Sequence, residues 1–152
     1  MSVFAALRIS ASGLNAQRLR MDVITNNIAN AETTRTPEGG AFRRQQVLFS
    51  PRYTGRVPFF SLLRGDVRRT EALAPRIEGI QPIGIVDDPT PSRRVYDPSH
   101  PDSGPDGFVE YPNVNMVTEM TDMMSATRSY EANVTVFNAA KAMAQRAIDL
   151  AR

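Results

Sequence analysis

The N-terminal segment carries a hydrophobic repeat with a period of about 3.5 residues. One stripe recurs at every seventh position and consists of Leu7, Leu14, Met21 and Ile28. The second stripe lies between these positions and consists of Val3, Ser10, Gln17, Ile24 and Ala31. Two such stripes are the a and d positions of a coiled-coil helix. We therefore predict a long amphipathic helix in residues 1–33, with Ser2 as its N-cap.

The C-terminal segment has the same repeat. Its seam consists of Met116, Met120, Met123, Thr127, Tyr130, Val134, Phe137, Lys141, Ala144, Ile148 and Ala151, flanked by Val117, Met124, Val136 and Ala140. We predict a second long helix in residues 113–152, able to return and pair antiparallel with the first. Methionine is frequent here, and two interpretations stay open: a helix core, or an adaptable surface for a partner.

Proline and glycine divide the chain into three segments. All 11 prolines and all but one of the 9 glycines lie in residues 34–112, and both residue types interrupt helices. This middle domain is predicted to contain strands and loops. Its candidate strands are residues 41–49, 80–91 and 107–112. Residues 50–79 are rich in arginine and fit no element, and residues 88–107 are rich in turn residues. The predicted fold class is mainly α, with the two terminal helices paired as an antiparallel coiled coil and a small β-rich insert between them.

The composition excludes several kinds of site and segment. The 152 residues include no cysteine, which excludes disulfides and thiolate metal sites. No apolar run is long enough for a transmembrane helix, and the N-terminus lacks the continuous apolar region of a secretory signal. The formal net charge is +2. Arginine pairs at residues 43–44, 68–69 and 93–94 are scattered among acidic residues, so a solvated or ion-paired surface is favoured over nucleic-acid binding.

No catalytic motif is present, and neither a cofactor nor a small-molecule substrate is expected. The sequence has no G-x-S-x-G, no dinucleotide-binding glycine pattern and no phosphate-binding loop. Its single histidine, His100, lies near Asp97, Asp102 and Asp106. Two interpretations compete there: aspartate-capped turns, or a calcium or catalytic site. The turns are favoured, because one histidine cannot make a histidine-rich metal site.

Three asparagines close the N-terminal repeat. Asn30 is predicted to cap the helix C-terminus, where asparagine in the left-handed conformation satisfies leftover carbonyls. Asn26 and Asn27 lie inside the helical pattern, although asparagine is a poor helix former. Because buried amides at helix interfaces fix register, we interpret Asn26 and Asn27 as register-setting contacts between helices.

These segments resemble a known family. Residues 10–45, "SASGLNAQRLRMDVITNNIANAETTRTPEGGAFRRQ", closely resemble the N-terminal region of the flagellar basal-body rod proteins. Residues 109–150, which begin "VEYPNVNMVTEM", resemble their C-terminal helix. "TTRTPEGG" after "NNIANA", with the later "DPSHPDSGPDGFVEYPNVN", is similar to the proximal rod proteins of the FlgC type in particular. Residues 50–79 depart from the family, since they are longer and richer in arginine.

The resemblance implies a structural function without catalysis. Such proteins polymerise through their terminal helices into the rod, a periplasmic drive shaft that transmits torque and forms part of the export channel. They are exported by the flagellar type III apparatus without a cleaved signal peptide, and their middle domain faces outward. The expected partners are copies of the chain itself, other proximal rod proteins, the rod–ring junction protein and the membrane-embedded ring.

The expected helix-packing and assembly interface draws on both terminal segments. Its residues are Val3, Leu7, Leu14, Met21, Ile24, Asn26, Asn27, Ile28, Asn30, Met116, Met120, Met123, Met124, Tyr130, Val134, Phe137, Ala144 and Ile148. Two other functions compete. A free-standing coiled-coil adaptor would have stable helices as a dilute monomer or dimer. An enzyme or nucleic-acid binder would need a cleft or one basic face in the middle segment, and the sequence indicates neither.

Overall fold

The computed structural model describes residues 3–54 and 76–150. Within these residues six elements follow one another: α1 (Val3–Ala29), β1 (Gln45–Thr54), β2 (Arg76–Asp87), β3 (Arg93–Tyr96), β4 (Phe108–Tyr111) and α2 (Met116–Leu150). The chain therefore has two long terminal helices with a small β region between them, and this part of the predicted fold class is confirmed. Ser2 and Ala151 lie outside the described residues, as do residues 55–75 of the arginine-rich segment.

The strands of the described residues form two small sheets. β1 pairs with β2, and β3 pairs antiparallel with β4. In the second sheet Tyr96 is opposite Phe108, and their rings meet edge to face with centroids 5.3 Å apart. Cross-strand aromatic pairs of this kind stabilise a short ladder. The strand predicted in residues 107–112 is confirmed.

Other parts of the middle segment differ in detail from the expectation. Residues 88–107 are rich in turns, as predicted, but they also contain β3, whose pairing with β4 overrides the neighbouring prolines. β2 begins at Arg76, inside the segment to which no element was assigned. β1 begins at Gln45 instead of residue 41; just before it, the N–H of Arg44 donates to the Asn113 side chain and not to a neighbouring strand.

Asparagines lie at the end of α1 and at the start of α2, where the helices adjoin the β region. The Asn30 N–H and the Asn30 Nδ2 both donate to the Asn26 carbonyl, at 3.1 and 2.9 Å. Asn30 thus satisfies a terminal carbonyl as predicted. The predicted left-handed conformation is wrong, because no described residue other than glycine has a positive φ. At the start of α2, Asn115 Oδ1 accepts the N–H groups of Val117 and Thr118 and serves as N-cap.

The chain divides into two compact units. One comprises Met1–Ala16, Phe49–Gln81 and Ala132–Arg152, and the other comprises Gln17–Leu48 and Pro82–Glu131. The buried apolar residues of the first unit, within its described part, are Ala16 and Ala140. Those of the second unit are Val23, Ile24, Val109 and Ala126. Most of these side chains are small, so each core is modest.

Met123, Tyr130, Phe137 and Ala144 of the predicted seam are half-buried, but the other stripe of α2 lies one position from the predicted one. Its buried residues are Glu119, Ala126 and Ala140, whose spacing fits a heptad repeat. The predicted seam residues that directly follow them, Met120, Thr127 and Lys141, are exposed. The hydrophobic pattern misplaces this stripe because its buried positions hold alanine or a charged residue, whereas two of the larger apolar side chains, Met120 and Met124, face outward.

Candidate functional site

A buried polar network joins the end of α1 to the first turns of α2. Its centre is Glu119, which has 0% of its surface exposed. Glu119 Oε1 accepts a hydrogen bond from Arg44 Nε at 2.6 Å, and Oε2 accepts one from Asn27 Nδ2 at 3.2 Å. An unpaired buried charge is strongly destabilising. Both carboxylate oxygens of Glu119 are satisfied within the chain.

Asn27 binds the backbone of β1. Its side-chain Oδ1 accepts the Gln45 N–H, and its Nδ2 donates to the Gln45 carbonyl, both at 2.9 Å. The amide thus satisfies the two backbone groups of Gln45 as a neighbouring strand would. Asn26 donates to Gln45 Oε1 at 3.1 Å and is itself exposed. The structure therefore brings both asparagines to β1, and Asn27 in addition to α2 through Glu119.

Arg44 faces three carboxylates. Besides its bond to Glu119, its Nη1 lies 3.4 Å from Asp88 Oδ2 and its Nη2 lies 3.6 Å from Asp122 Oδ2. Its backbone is also held: the N–H donates to Asn113 Oδ1 at 2.9 Å, and the carbonyl accepts the Asp88 N–H at 2.7 Å. The position of the guanidinium is therefore set by the main chain as well as by its charged partners.

Burial and ion pairing act in opposite directions on Arg44. Burial lowers its pKa, but the hydrogen bond and charge of Glu119, and then those of Asp88, outweigh burial and leave the pKa raised. The pKa of Asp88 is lowered, first by the Thr90 hydroxyl and N–H, which donate to Oδ1 at 2.6 and 3.0 Å, and then by Arg44. Both side chains are therefore charged near neutral pH.

The two middle-segment motifs that carry the family resemblance contact each other. In "TTRTPEGG", Thr34 Oγ1 donates to Asp102 Oδ2 at 2.7 Å, and Arg35 Nη1 lies 4.0 Å from Asp102 Oδ1. His100 Nδ1 accepts a hydrogen bond from the Asp102 backbone N–H at 3.1 Å, and the His100 backbone N–H donates to the Asp97 carbonyl. The turn interpretation of the His100 segment is confirmed.

Neither a metal centre nor a membrane span is visible in the described ranges. Within residues 3–54 and 76–150, no three histidine, aspartate or glutamate side chains are grouped to hold a metal ion. No helix in these ranges is both long enough and apolar enough to cross a membrane.

An apolar stripe is exposed on the first turns of α2. Its residues Met116, Val117, Met120 and Met124 are 41%, 74%, 51% and 55% exposed. Positions three and four apart lie on the same side of a helix, so Val117, Met120 and Met124 form one continuous strip. A contiguous apolar surface of this kind is typical of a face that packs against a partner. We call these four residues the α2 stripe.

A second polar link lies in the other unit, between α1 and β2. Ser12 Oγ accepts the Ile80 N–H at 3.1 Å. The preceding residue, Gly79, has a φ of 127°, and a Cβ at this position would collide with Ser12 Oγ. Glycine is therefore needed where this strand meets the helix.

The predicted interface residues fall into three levels of exposure. Ile24 and Asn27 are buried. The half-buried ones are Leu7, Leu14, Met21, Ile28, Asn30, Met123, Tyr130, Val134, Phe137 and Ala144. The exposed ones are Asn26, Met116, Met120, Met124 and Ile148. The side chain of Val3 lies outside the described set.

The predicted interface includes none of the charged residues of the network, Arg44, Glu119, Asp88 and Asp122. Glu119 carries a weak sequence signal, because it stands one heptad before Ala126, but a charged residue at that position does not indicate a buried stripe. Arg44 carries a weaker one. It is the second residue of an arginine pair, a pattern that predicts a solvated surface. Its partial burial depends on contacts with residues distant in sequence.

The chain matches two protein-family models. Residues 7–35 match the family described as "Flagella basal body rod protein", and residues 106–150 match "Flagellar basal body rod FlgEFG protein C-terminal". The first match contains Asn27 and the second contains Glu119, so the two helical partners of the network both lie in matched segments.

Relatives match nearly the whole chain. "Flagellar basal-body rod protein FlgC" of Borreliella burgdorferi is 44% identical, over 97% of each chain. The protein of that name from Bacillus subtilis is 37% identical over 100% of both chains. That from Salmonella typhimurium is 31% identical, over 99% of this chain and 98% of its own. The similarity thus includes the middle segment as well as the helices.

Proposed function

Because the chain belongs to the FlgC family of flagellar basal-body rod proteins, which are structural proteins and not enzymes, we propose that this rod subunit assembles through its two terminal helices, paired antiparallel as a coiled coil. The helical segments 1–33 and 113–152 then form the rod core. The middle domain, residues 34–112, faces outward.

Contacts between the helices support antiparallel pairing. In one unit Asn27 meets Glu119, and the Thr127 hydroxyl lies 3.7 Å from Met21 Sδ. In the other unit Gly13 faces the Asn133 amide, which a Cβ at Gly13 would meet at 3.0 Å. Residue numbers fall along α1 as they rise along α2, as antiparallel helices require.

The α2 stripe is the observation that carries the assembly proposal. Val117 is 74% exposed and Met124 is 55% exposed, although both are apolar. Packing against a neighbouring helix would remove this surface from water, at a gain of about 25 cal/mol per Å². Methionine adapts to imperfectly matched neighbours, which suits a subunit that meets several different chains.

The more specific role follows the FlgC-type resemblance. We place the subunit in the proximal rod, in the periplasmic drive shaft that transmits torque and encloses part of the export channel. Its neighbours are copies of itself, other proximal rod proteins, the rod–ring junction protein and the membrane-embedded ring. It reaches this position through the flagellar type III export apparatus, without a cleaved signal peptide.

Photo-crosslinking in flagellated cells tests the assembly surface. A photoreactive residue at Val117 or Met124 should crosslink to other rod components, identified by mass spectrometry. The comparison position is Glu38, which is also exposed but lies in the loop between α1 and β1. It should give few rod-helix products. Crosslinks from Val117 and Met124 to soluble cytoplasmic proteins alone would contradict assembly through α2 and favour a coiled-coil adaptor.

A further inference from the structure

We infer that Asn27, Arg44 and Glu119, here called the register lock, determine which residues of α1 face which residues of α2. The lock lies within a single chain. The effect of the lock on register is therefore independent of rod assembly. A role of the lock in rod assembly rests on the proposed function. If that function holds, the lock positions the α2 stripe for the neighbouring subunit.

Glu119 is satisfied at one axial position of α2. There, α1 supplies Asn27 to one carboxylate oxygen, and the segment before β1 supplies Arg44 to the other. Displacing a helix by one turn moves each side chain by about 5.4 Å, far beyond hydrogen-bond reach. A shifted α2 would therefore bury an unpaired carboxylate, which disfavours the shifted arrangement.

The buried apolar residues that α2 itself contributes discriminate poorly between registers. Ala126 and Ala140 are the buried apolar residues among the described part of α2. Alanine leaves no large knob that must enter one particular hole, so a one-turn shift exchanges similar surfaces. Selection of the register then falls to the polar group on the same stripe, as a buried polar residue does in coiled coils.

Arg44 can act as a reference because its main chain is held outside α2, although its guanidinium also meets Glu119 and Asp122 of α2. Its backbone N–H is bound to Asn113 and its carbonyl to the Asp88 N–H. The side chain also pairs with Asp88, outside α2. Asn27 is likewise fixed, through both backbone groups of Gln45. α2 thus docks against two donors that other elements already hold.

The chemistry of the pair separates stability from register. Removing one partner leaves a buried charge, whereas replacing both by apolar side chains of similar size is often neutral for stability. Arg44→Met and Glu119→Met should each lower the melting temperature of the purified full chain. The double variant Arg44→Met/Glu119→Met should have a melting temperature close to that of the wild type. It should nevertheless no longer favour one register of α1 against α2.

Register can be read by thiol crosslinking because the chain has no cysteine of its own. Met21→Cys/Thr127→Cys marks the native register, since those side chains are in contact. Met21→Cys/Glu131→Cys marks a register one turn away. With a short bifunctional thiol reagent, the ratio of the two intramolecular products should favour the native pair. It should fall at least about tenfold when the lock is replaced by two methionines.

The matched control is the surface pair Arg94–Glu110, which has the same chemistry at 3.0 Å but is 72% and 48% exposed. Arg94→Met/Glu110→Met should leave the product ratio unchanged. An unchanged ratio in Arg44→Met/Glu119→Met would overturn the register lock, as would a chain with the lock intact that shows no preference for the native pair. Both readouts use the purified chain, so failure of the lock is distinguishable from failure of rod assembly, which crosslinking in cells reports.

Discussion

Arg44 Nε donates to Glu119 Oε1 across 2.6 Å, at a carboxylate side chain that is 1% exposed. This is the shortest ion-pair contact among the described residues. The pair Arg94–Glu110 combines the same two residue types, but it lies in water. The burial of each pair determines how much stability its removal costs.

Glu119→Ala should lower the free energy of unfolding by about 3 kcal/mol, because Asn27 and Arg44 lose a buried partner. Glu110→Ala, at the exposed pair, should cost less than about 0.5 kcal/mol. Urea unfolding of the two variants, followed by circular dichroism, gives both values. Equal losses would mean that the buried network adds nothing beyond a surface ion pair.

Asn27→Leu should cost about 1–3 kcal/mol, since the half-buried N–H and carbonyl of Gln45 would lose their partners. The change should therefore loosen β1 as well as the helix contact. Amide hydrogen exchange at Gln45 measures the local effect directly. The comparison is Asn15→Leu, at an exposed position of the same helix; faster exchange at Gln45 in that variant too would argue against a specific role of Asn27.

Leu14→Asp should block rod assembly while leaving the β region folded. Leu14 is half-buried on α1, and a charge there opposes helix packing. Asn15→Asp introduces the same charge at the adjacent exposed position and should preserve motility. Normal swimming of cells that carry Leu14→Asp would count against assembly through α1.

Gly79→Ala should destabilise the chain by about 1–3 kcal/mol, because alanine tolerates a φ of 127° poorly and its Cβ would collide with Ser12 Oγ. Gly84 lies in the same strand, and a Cβ there meets nothing within 4 Å. Gly84→Ala should therefore be neutral or slightly stabilising. Thermal melts of both variants test the difference, and similar melting temperatures would show that Gly79 is not required for its backbone conformation.

Acid should remove the contribution of Asp88. Its pKa in the folded chain is lowered by Thr90 and Arg44, and in an unfolded chain it is about 3.9. The stabilisation is therefore fully present above that value and lost as the pH falls through the lower folded pKa. The difference in melting temperature between wild type and Asp88→Asn should shrink from pH 6 towards acid. A constant difference would mean that Asp88 binds protons equally in both states.

The terminal helices were predictable because the local signals agree. Proline is absent from both terminal segments, which contain one glycine between them, Gly13, and both carry a heptad repeat. The described helices, Val3–Ala29 and Met116–Leu150, lie within the predicted segments 1–33 and 113–152. The phase of α2 was not predictable from hydrophobicity, since Met120 faces outward while Glu119 is buried one residue earlier.

The importance of the asparagines was predictable, but their partners were not. Asn27 is conspicuous as a poor helix former within a helical repeat. The sequence offers equally good partners on β1, 18 residues away, and on α2, 92 residues away, and the amide uses both. β3 was missed for a related reason, because its pairing with β4 outweighs its turn-rich surroundings.

The sequence distance between Asn27 and Glu119 has a consequence for the order in which the chain folds. Glu119 lies 92 residues after Asn27. A chain that begins to fold from its N-terminus can therefore complete the network only after most of its residues are present. Until then, α1 has neither the carboxylate nor the helix against which it packs. Contacts of such high sequence separation form slowly, because the long loop between the two residues must first be closed. A chain that lacks its last segment can therefore bind Asn27 to Gln45, but it cannot fix its first helix against α2.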